Sequence, residues 1–335
     1  MLRSLRIAAA AAALPAALAA QGTSSIRPVA TYSIVARDSV TGEIGVAVQS
    51  HWFSVGTAVP WAEAGVGAVA TQSFSEPAYG PLGLELIRMG RSAPEALRAL
   101  VGTDPDSAVR QVAMVDAHGR VAGYTGNRNI VNASNITRAQ FSVQANMMDR
   151  PTVPAAMARA FQSARGDLAE RLMQALEAAQ REGGDIRGRQ SAAMIVVGPT
   201  NTGKPWNDRT VDLRVEDNPE PLTELRRLIT LSRVYRKLNE GDAAVTRNDM
   251  TAAAAAYGSA TTLLPDAATN GEAVFWTGIS FASAGRVDEA LPYLRRAYAV
   301  HPQWAELVRR LPAAGLLPND AALIQRLVSG MSAAR

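Results

Sequence analysis

The stretch TYSIVAR-DSVTG-EIGVAVQ, residues 31–49, decides the fold of this chain. Its first part is rich in β-branched and aromatic residues, and apolar Ile44, Val46 and Val48 alternate along its last part. Such patterns are typical of strands. The middle part combines Asp, Ser and Gly, which favour tight turns. The stretch therefore predicts two neighbouring strands, Tyr32–Arg37 and Glu43–Gln49, joined by a turn.

From here to residue 215, strand patterns alternate with paired helix patterns. Further strands are predicted at Gly65–Ser73, Gln111–Asp116, Arg120–Thr125, Gln140–Asn146, Gln190–Gly198 and Arg209–Val215. Helices are predicted at Ala78–Met89 and Ala93–Val101, and around two apolar i, i+4, i+8 series beginning at Val153 and Leu168. The order is strands, two helices, strands, two helices, strand. It predicts an α+β domain over residues 31–215, built as a four-layer αββα sandwich.

After Pro219-Glu220-Pro221, a predicted linker, the strand signal disappears and helical repeats follow. The small and large positions of a tetratricopeptide repeat occur twice, at Gly241, Ala253, Tyr257, Ala260 and Pro265, and at Gly278, Phe281, Ala290, Leu294, Ala297 and Pro302. Gly285 is expected to end one helix in the left-handed conformation. We expect an all-α, tetratricopeptide-like lobe over residues 222–330. It would bind a peptide or protein partner, or pack against the first domain as a buttress.

Residues 1–20, MLRSLRIAAAAAALPAALAA, have the pattern of a secretory signal peptide. Arg3 and Arg6 precede an apolar run, and small residues follow it up to Ala20. The run is too short to span a bilayer comfortably, although an uncleaved anchor is the alternative. We expect export to the periplasm or medium, cleavage near Ala20, a short leader at residues 21–30, and no membrane span after cleavage.

The composition excludes several classes of site. The chain has no cysteine, which excludes disulfides, cysteine-ligated zinc and cysteine nucleophiles. Its three histidines, His51, His118 and His301, lie far apart in sequence, which argues against a histidine-rich metal site. The formal charge is only +4, and residues 216–335 hold 13 basic and 13 acidic residues. No basic face for nucleic acid is therefore predicted, and no cofactor is expected.

Four segments resemble the DUF1028 family, a bacterial and archaeal family of unknown function: TYSIVARD (31–38), GEIGVAV (42–48), GVGAVATQ (65–72) and RGRQSAA (187–193). The resemblance covers residues 31–198 and implies kinship with the N-terminal nucleophile (Ntn) hydrolases, whose fold is the αββα sandwich. It implies that Thr31 is a nucleophile if cleavage makes it the N-terminus. Its α-amine, with a pKa near ~8, would then serve as the base for its own hydroxyl. The alternative is that Thr31 simply begins a strand.

The resemblance also implies site residues at the ends of the strands. The expected catalytic residues are Thr31, Gln72, Asn146 and Asp185, and the expected substrate-binding residues are His51, Thr71, Arg187, Arg189 and Ser191. No metal ligand is expected. The alternatives are an edge-strand histidine at His51 and a structural ion pair of Asp185 with the two arginines. Six of these residues are expected to surround one cleft: Thr31, His51, Gln72, Asn146, Asp185 and Arg189.

Two positions depart from the pattern of the Ntn peptidases. Gln49 stands where an acid is expected at the end of the second strand, and no lysine lies near the following strand. These departures argue against a proteasome-like mechanism and leave two functions open. One is an exported amidohydrolase that acts on an amide bond in the cell envelope. The other is a non-catalytic envelope protein that binds a ligand or serves as a scaffold, using the same fold and the helical repeats.

Overall fold

The computed structural model describes residues 31–333, so the predicted signal peptide (1–20) and leader (21–30) lie outside the described residues. Within residues 31–333 the chain forms two antiparallel β-sheets and eleven α-helices, which confirms the predicted α+β class. No helix in this range is both long and apolar enough to cross a membrane.

The ten strands of residues 31–333 all lie before residue 216. They are β1 (Thr31–Arg37), β2 (Ile44–Ser50), β3 (Pro60–Glu63), β4 (Gly67–Ser73), β5 (Arg110–Asp116), β6 (Val121–Thr125), β7 (Ser134–Arg138), β8 (Phe141–Asn146), β9 (Ser191–Val197) and β10 (Arg209–Val215). Eight of them lie within two residues of the predicted strands. The short β3 and β7 were not predicted from the sequence.

The helices fall into two groups, one inside and one beyond the strand region. They are α1 (Tyr79–Arg88), α2 (Ala93–Thr103), α3 (Val153–Ser163), α4 (Leu168–Arg181), α5 (Pro205–Asp208), α6 (Pro221–Thr246), α7 (Met250–Ala260), α8 (Glu272–Ser283), α9 (Val287–Val300), α10 (Trp304–Arg310) and α11 (Ala321–Ser332).

The strands form one six-stranded sheet, in the order β10-β9-β2-β1-β8-β7, and one four-stranded sheet, in the order β3-β4-β5-β6. Between them lies a core of β-branched residues from the first sheet, such as Val35 and Val46, and alanines from the second, such as Ala68 and Ala113. Because successive residues point to opposite faces, the intervening residues of each strand face away from this core.

Those outer faces are covered by helices. Tyr32 and Ile34 of β1 pack in one core with Leu172 and Leu176 of α4 and with residues of α3. On the other sheet, Val69 of β4 packs in a core with residues of α1 and α2. The approach of α4 is close, since a Cβ on Gly45 of β2 would lie 2.7 Å from Leu172 Cδ1.

The turn between β1 and β2 is held by Asp38. Its Oδ1 accepts hydrogen bonds from the backbone N–H groups of Val40 (2.7 Å) and Thr41 (2.9 Å). Its Oδ2 accepts one from Arg171 Nη1 of α4 at 2.8 Å. Gly42 completes the turn at φ 76°, a left-handed conformation that glycine adopts without strain. The predicted tight turn is therefore present and is fastened to α4.

Helix α6 belongs to both parts of the chain. Leu222, Leu225 and Ile229 of its first half lie in the core formed by α3, α4 and the six-stranded sheet. Val234 and Leu238 of its second half pack with α7 instead. Pro221, part of the predicted linker, is the first residue of the helix, where its fixed φ is suited to helix initiation.

Helices α7 to α11 form the remainder. Helix α6 packs against α7, and α8 packs against α9. Gly241 lies against the ring of Tyr257, and Gly278 lies against Leu294, in contacts too close for a Cβ to fit without movement. Gly285 has φ 76°, and Arg286 N–H donates to the carbonyl of Phe281 at 2.9 Å. The predicted left-handed cap at Gly285 is confirmed.

Candidate functional site

A row of four buried polar residues crosses the six-stranded sheet at one end. Thr31 of β1 lies opposite both Ser50 of β2 and Asn146 of β8, and Ser50 lies opposite Ser191 of β9. Each of the four is at most 1% exposed. Residues that lie opposite one another in a ladder share a face of the sheet. We refer to Asn146, Thr31, Ser50 and Ser191 as the polar row.

Thr31 is held in this row through both its side chain and its backbone. Its Oγ1 donates a hydrogen bond to Ser50 Oγ at 3.2 Å. Its carbonyl oxygen accepts a hydrogen bond from Gln72 Nε2 of β4 at 3.1 Å. Gln72 belongs to the four-stranded sheet, so the polar row faces the interface between the two sheets.

Gln72 is saturated by its partners. Its Nε2 also donates to Gln111 Oε1 at 2.7 Å, and its Oε1 accepts from Ser33 Oγ at 2.6 Å. Both amide hydrogens therefore have acceptors within the protein. The Gln72 side chain therefore holds the backbone of Thr31 in position.

Two further glutamines, Gln111 and Gln144, complete an amide network between the sheets. Gln111 Oε1 accepts from Asn146 Nδ2 at 3.0 Å, and Gln111 Nε2 donates to the carbonyl of Ala145 at 2.9 Å. Gln144 Nε2 donates to Ser33 Oγ at 3.2 Å and to the carbonyl of Ala70 at 3.0 Å. Such bonds offset the desolvation cost of burying polar groups. The network consists of uncharged side chains.

These glutamines were not identified from the sequence, and neither was Ser50. The signal that marks them is a polar residue at alternate positions of an otherwise apolar strand, as in Ser142, Gln144 and Asn146 of β8. Gln49, where the Ntn pattern expects an acid, lies opposite Tyr32 and so on the helix-covered face. Its two amide atoms are buried without a hydrogen-bond partner among the described residues.

Asp185 lies beside the polar row and fastens two loops. It is 4% exposed, and its backbone forms an isolated antiparallel β-bridge with Met148, which lies two residues after Asn146. Its Oδ2 accepts a hydrogen bond of 3.0 Å from the backbone N–H of His51, the residue that follows Ser50. Arg187 Nη2 lies 2.9 Å from the same oxygen. The carboxylate is therefore engaged in a backbone contact and in an ion pair with Arg187, which is one of the two arginines named in the structural alternative.

The negative charge of Asp185 also acts on Tyr32. Burial raises the pKa of the Tyr32 hydroxyl well above its usual range, and the charge of Asp185 raises it further. The hydroxyl donates to Gln180 Oε1 at 3.0 Å. Tyr32 therefore remains a neutral hydrogen-bond donor beneath the polar row.

Two of the expected substrate-binding residues, Ser191 and His51, lie at the loop that follows β2. Ser191 belongs to the polar row, but its Oγ donates to the carbonyl of Trp52 and accepts from Val55 N–H at 3.1 Å, so it fastens the loop after β2. Half-buried His51 begins that loop. Its Nδ1 is buried without a hydrogen-bond partner in the described part of the chain.

The side chains of Thr71 and Arg189 do not contact the polar row. Thr71 follows Ala70 and precedes Gln72, which both face the sheet interface, so its side chain points to the opposite face. There its hydroxyl donates to the carbonyl of Glu76 at 3.1 Å. Arg189 forms an ion pair with Glu220, next to the start of α6. Within residues 31–333, no group of three or more acidic or histidine side chains is placed to hold a metal ion.

Comparison with known proteins identifies a family and similar solved structures. The family described as "Family of unknown function (DUF1028)" matches residues 31–225. The chain is similar to a crystal structure of a DUF1028 protein from Silicibacter pomeroyi, with 30% sequence identity and a TM-score of 0.54. That match covers 64% of this chain and 88% of the other. No curated protein matches this chain significantly.

Proposed function

This chain belongs to the DUF1028 family, whose function is unknown, and we propose that it is an exported amidohydrolase of the Ntn type with Thr31 as nucleophile. The proposal requires the signal peptide to be removed and the Ala30–Thr31 bond to be cut. The substrate would carry an amide bond and would be met in the cell envelope. No metal or cofactor takes part in this chemistry.

The fold supports this proposal. Two antiparallel sheets pack face to face, and a helix pair covers each outer face. This layering supports the αββα sandwich that the resemblance to the Ntn hydrolases implies. The observation that carries the proposal is the position of Thr31, which begins an interior strand and directs its hydroxyl into the polar row. In the Ntn chemistry the nucleophile occupies the first position of such a strand.

The chemistry follows from the groups at this position. With Thr31 as N-terminus, its α-amine takes the proton of the hydroxyl while Oγ1 attacks the carbon of the substrate amide. The C–N bond breaks, the leaving amine takes the proton, and an ester remains on Thr31. Water then attacks the ester, which releases a carboxylic acid and restores the hydroxyl. Because the polar row and its amide network contain no charged side chain, the α-amine is the base, and Ser50 and Gln72 hold Thr31 in position.

The test uses the exported protein and a panel of N-acyl arylamides with different acyl groups. We expect wild type to release arylamine, Thr31→Ser to retain part of the activity, and Thr31→Ala to lose it. Thr103→Ala, an exposed position at the end of α2, is the matched control and should match wild type. A β-lactone should add its full mass to Thr31. Equal turnover by wild type and Thr31→Ala would exclude the mechanism.

The absence of charge also favours a second candidate, a binding protein on the same fold. If Thr31 remains internal, its hydroxyl has no α-amine beside it and is a poor nucleophile. The polar row would then bind a polar envelope ligand through hydrogen bonds alone. A ligand that protects the protein thermally without being converted, equally in wild type and Thr31→Ser, would support this candidate.

We also propose that α6 to α9 form two tetratricopeptide-like helix pairs that dock a peptide or protein partner. The contacts of Gly241 with Tyr257 and of Gly278 with Leu294 support it, because they occupy corresponding small and large positions. Pro265 and Pro302 follow α7 and α9 at corresponding places. Ala297→Leu, a substitution at a small position of the second helix pair, tests the packing of the helices.

A further inference from the structure

A cavity of about 510 Å³ lies between α6 and α8. Tyr257 of α7 and Leu316, in the segment before α11, also line it. All of its lining residues come from α6 or later elements, so the strand-bearing part of the chain does not fill it. Cavities of this size accommodate side chains or small ligands.

Two carboxylates lie at this cavity. Glu272 Oε2 accepts from Tyr235 O–H at 2.5 Å, and Glu272 Oε1 accepts from Trp276 Nε1 at 3.4 Å. Asp242 Oδ1 accepts from Tyr257 O–H at 2.6 Å. All of these donors are neutral groups. The contacts fix where the carboxylate oxygens lie but leave their negative charge uncompensated.

No basic partner compensates that charge among the described residues. The lining residues include Asp242 and Glu272 but no Lys, Arg or His. Neither carboxylate forms an ion pair within residues 31–333. Nearby acids differ, since Glu240 on the same helix pairs with Lys237, and Asp266 pairs with Arg296. The cavity is therefore lined by two carboxylates, Asp242 and Glu272, whose negative charges have no basic partner among the described residues.

Aromatic and apolar groups complete the lining. Trp276 and Tyr235, which is 38% exposed, flank Glu272. An aromatic face attracts a cation through its quadrupole. Leu238, Ile279 and Leu316 add apolar surface, against which the methylene stem of a long cationic side chain can pack. Charge, aromatic faces and apolar surface thus favour the same kind of group.

We propose that this cavity binds the arginine or lysine side chain of a partner peptide with apolar flanking residues. The guanidinium or ammonium group would lie between Glu272 and Asp242, next to the ring of Trp276. This assignment rests on the residues that line the cavity and is independent of the chemistry of Thr31. Its failure would leave the amidohydrolase proposal unchanged.

The test measures fluorescence anisotropy of a labelled, end-capped peptide Leu-Ser-Arg-Ser-Leu with the full exported chain. A matched peptide carries citrulline in place of arginine, which removes the charge and keeps the shape. We expect the arginine peptide to bind with an affinity that falls as salt rises. The citrulline peptide should bind at least about tenfold more weakly.

Variants of the protein separate the cavity from the rest of the surface. Glu272→Gln and Asp242→Asn should each weaken binding of the arginine peptide about tenfold. Glu240→Gln, an acid on α6 that does not line the cavity, should bind like wild type. Thermal melts establish that each variant is folded, and two independent carboxylate variants keep the test decisive if one of them is unstable.

Four results would overturn the proposal. The first is equal binding of the arginine and citrulline peptides, and the second is unchanged binding by both carboxylate variants. The third is no saturable binding up to about 1 mM, where affinity is too low for a specific site. Binding of agmatine as tight as that of the peptide would also count against it, because the site would then recognise a small cation and not a peptide.

Discussion

The Thr31 hydroxyl donates a hydrogen bond to the Ser50 hydroxyl across the β1–β2 ladder, where the two residues lie directly opposite each other. Both are fully buried, and both face the interface between the sheets. The pairing is a consequence of the β1–β2 turn, since the turn fixes the register of the two strands. The position of the proposed nucleophile is thus determined by a local element of the fold.

Replacing Ser50 with alanine should lower kcat up to about tenfold, because one hydrogen bond that orients Oγ1 is lost. The measurement is the rate on the best arylamide of the panel, together with the melting temperature. Ser163→Ala, an exposed position on α3, should have no effect. An unchanged kcat in folded Ser50→Ala would show that Ser50 does not position the nucleophile.

Asp38 should make stability depend on pH. Burial alone would raise its pKa, but hydrogen bonds from Thr41 and Val40 and the charge of Arg171 outweigh burial and hold the pKa below its usual value. A lowered folded pKa stabilises the protein above the unfolded pKa of about 3.9, and this contribution is lost as pH falls through the folded pKa.

Asp38→Asn should therefore lower the free energy of unfolding by about 1–3 kcal/mol at neutral pH. The difference from wild type should shrink as pH falls from the unfolded pKa of about 3.9 through the lower folded pKa. Urea unfolding of wild type and Asp38→Asn at several pH values measures this difference in the free energy of unfolding. A difference that is equal at neutral and acidic pH would contradict the assigned role of the charge.

Gly45→Ala should destabilise the protein by about 1–3 kcal/mol through overpacking. The added Cβ would lie 2.7 Å from Leu172 Cδ1, and Leu168 Cδ2 and Val196 Cγ2 are each 3.3 Å away. Gly258→Ala on α7 is the control, since nothing lies within 4 Å of its Cβ position. The control should stabilise by about 0.5–1 kcal/mol through helix propensity. Similar effects of both substitutions would argue against close packing of α4 on β2.

Ala297→Leu should cost about 1–3 kcal/mol, because Ala297 is fully buried where α9 packs against its neighbours. A Cβ added to Gly271 would lie 3.2 Å from the Cα of Ala297, so the two backbones approach closely at this point. Thermal unfolding measures the loss. Ala255→Leu, at an exposed position of α7, is the control. Wild-type stability of Ala297→Leu would contradict tight packing of the helix pairs.

The sequence predicts eight of the ten described strands well because their apolar alternation is strong, as in Ile44, Val46 and Val48. The short β3 and the polar β7, SNITR, lack that signal. The predicted helical lobe begins at residue 222, one residue after α6 begins at Pro221, because proline is typical both of a linker and of the first turn of a helix.

The site is harder to predict than the strands. The Ntn pattern expects an acid at the position of Gln49, whereas Ser50 is the residue that lies opposite Thr31. A shift of one residue moves a side chain to the other face, so the exact strand end decides which residue faces the site. The contacts of Gln111 with Gln72 and Asn146 join residues on three strands in two sheets, and no local pattern encodes them.

The most direct test of the central claim is the N-terminus of the mature exported protein, determined by N-terminal sequencing and intact mass. The proposed mechanism predicts a chain that begins at Thr31, with its α-amine free to act as the base. Thr31→Ala, measured in parallel, shows whether removal of the preceding residues depends on Thr31 itself. A mature protein that begins at Gln21 as its only stable form would contradict the claim that Thr31 is an N-terminal nucleophile.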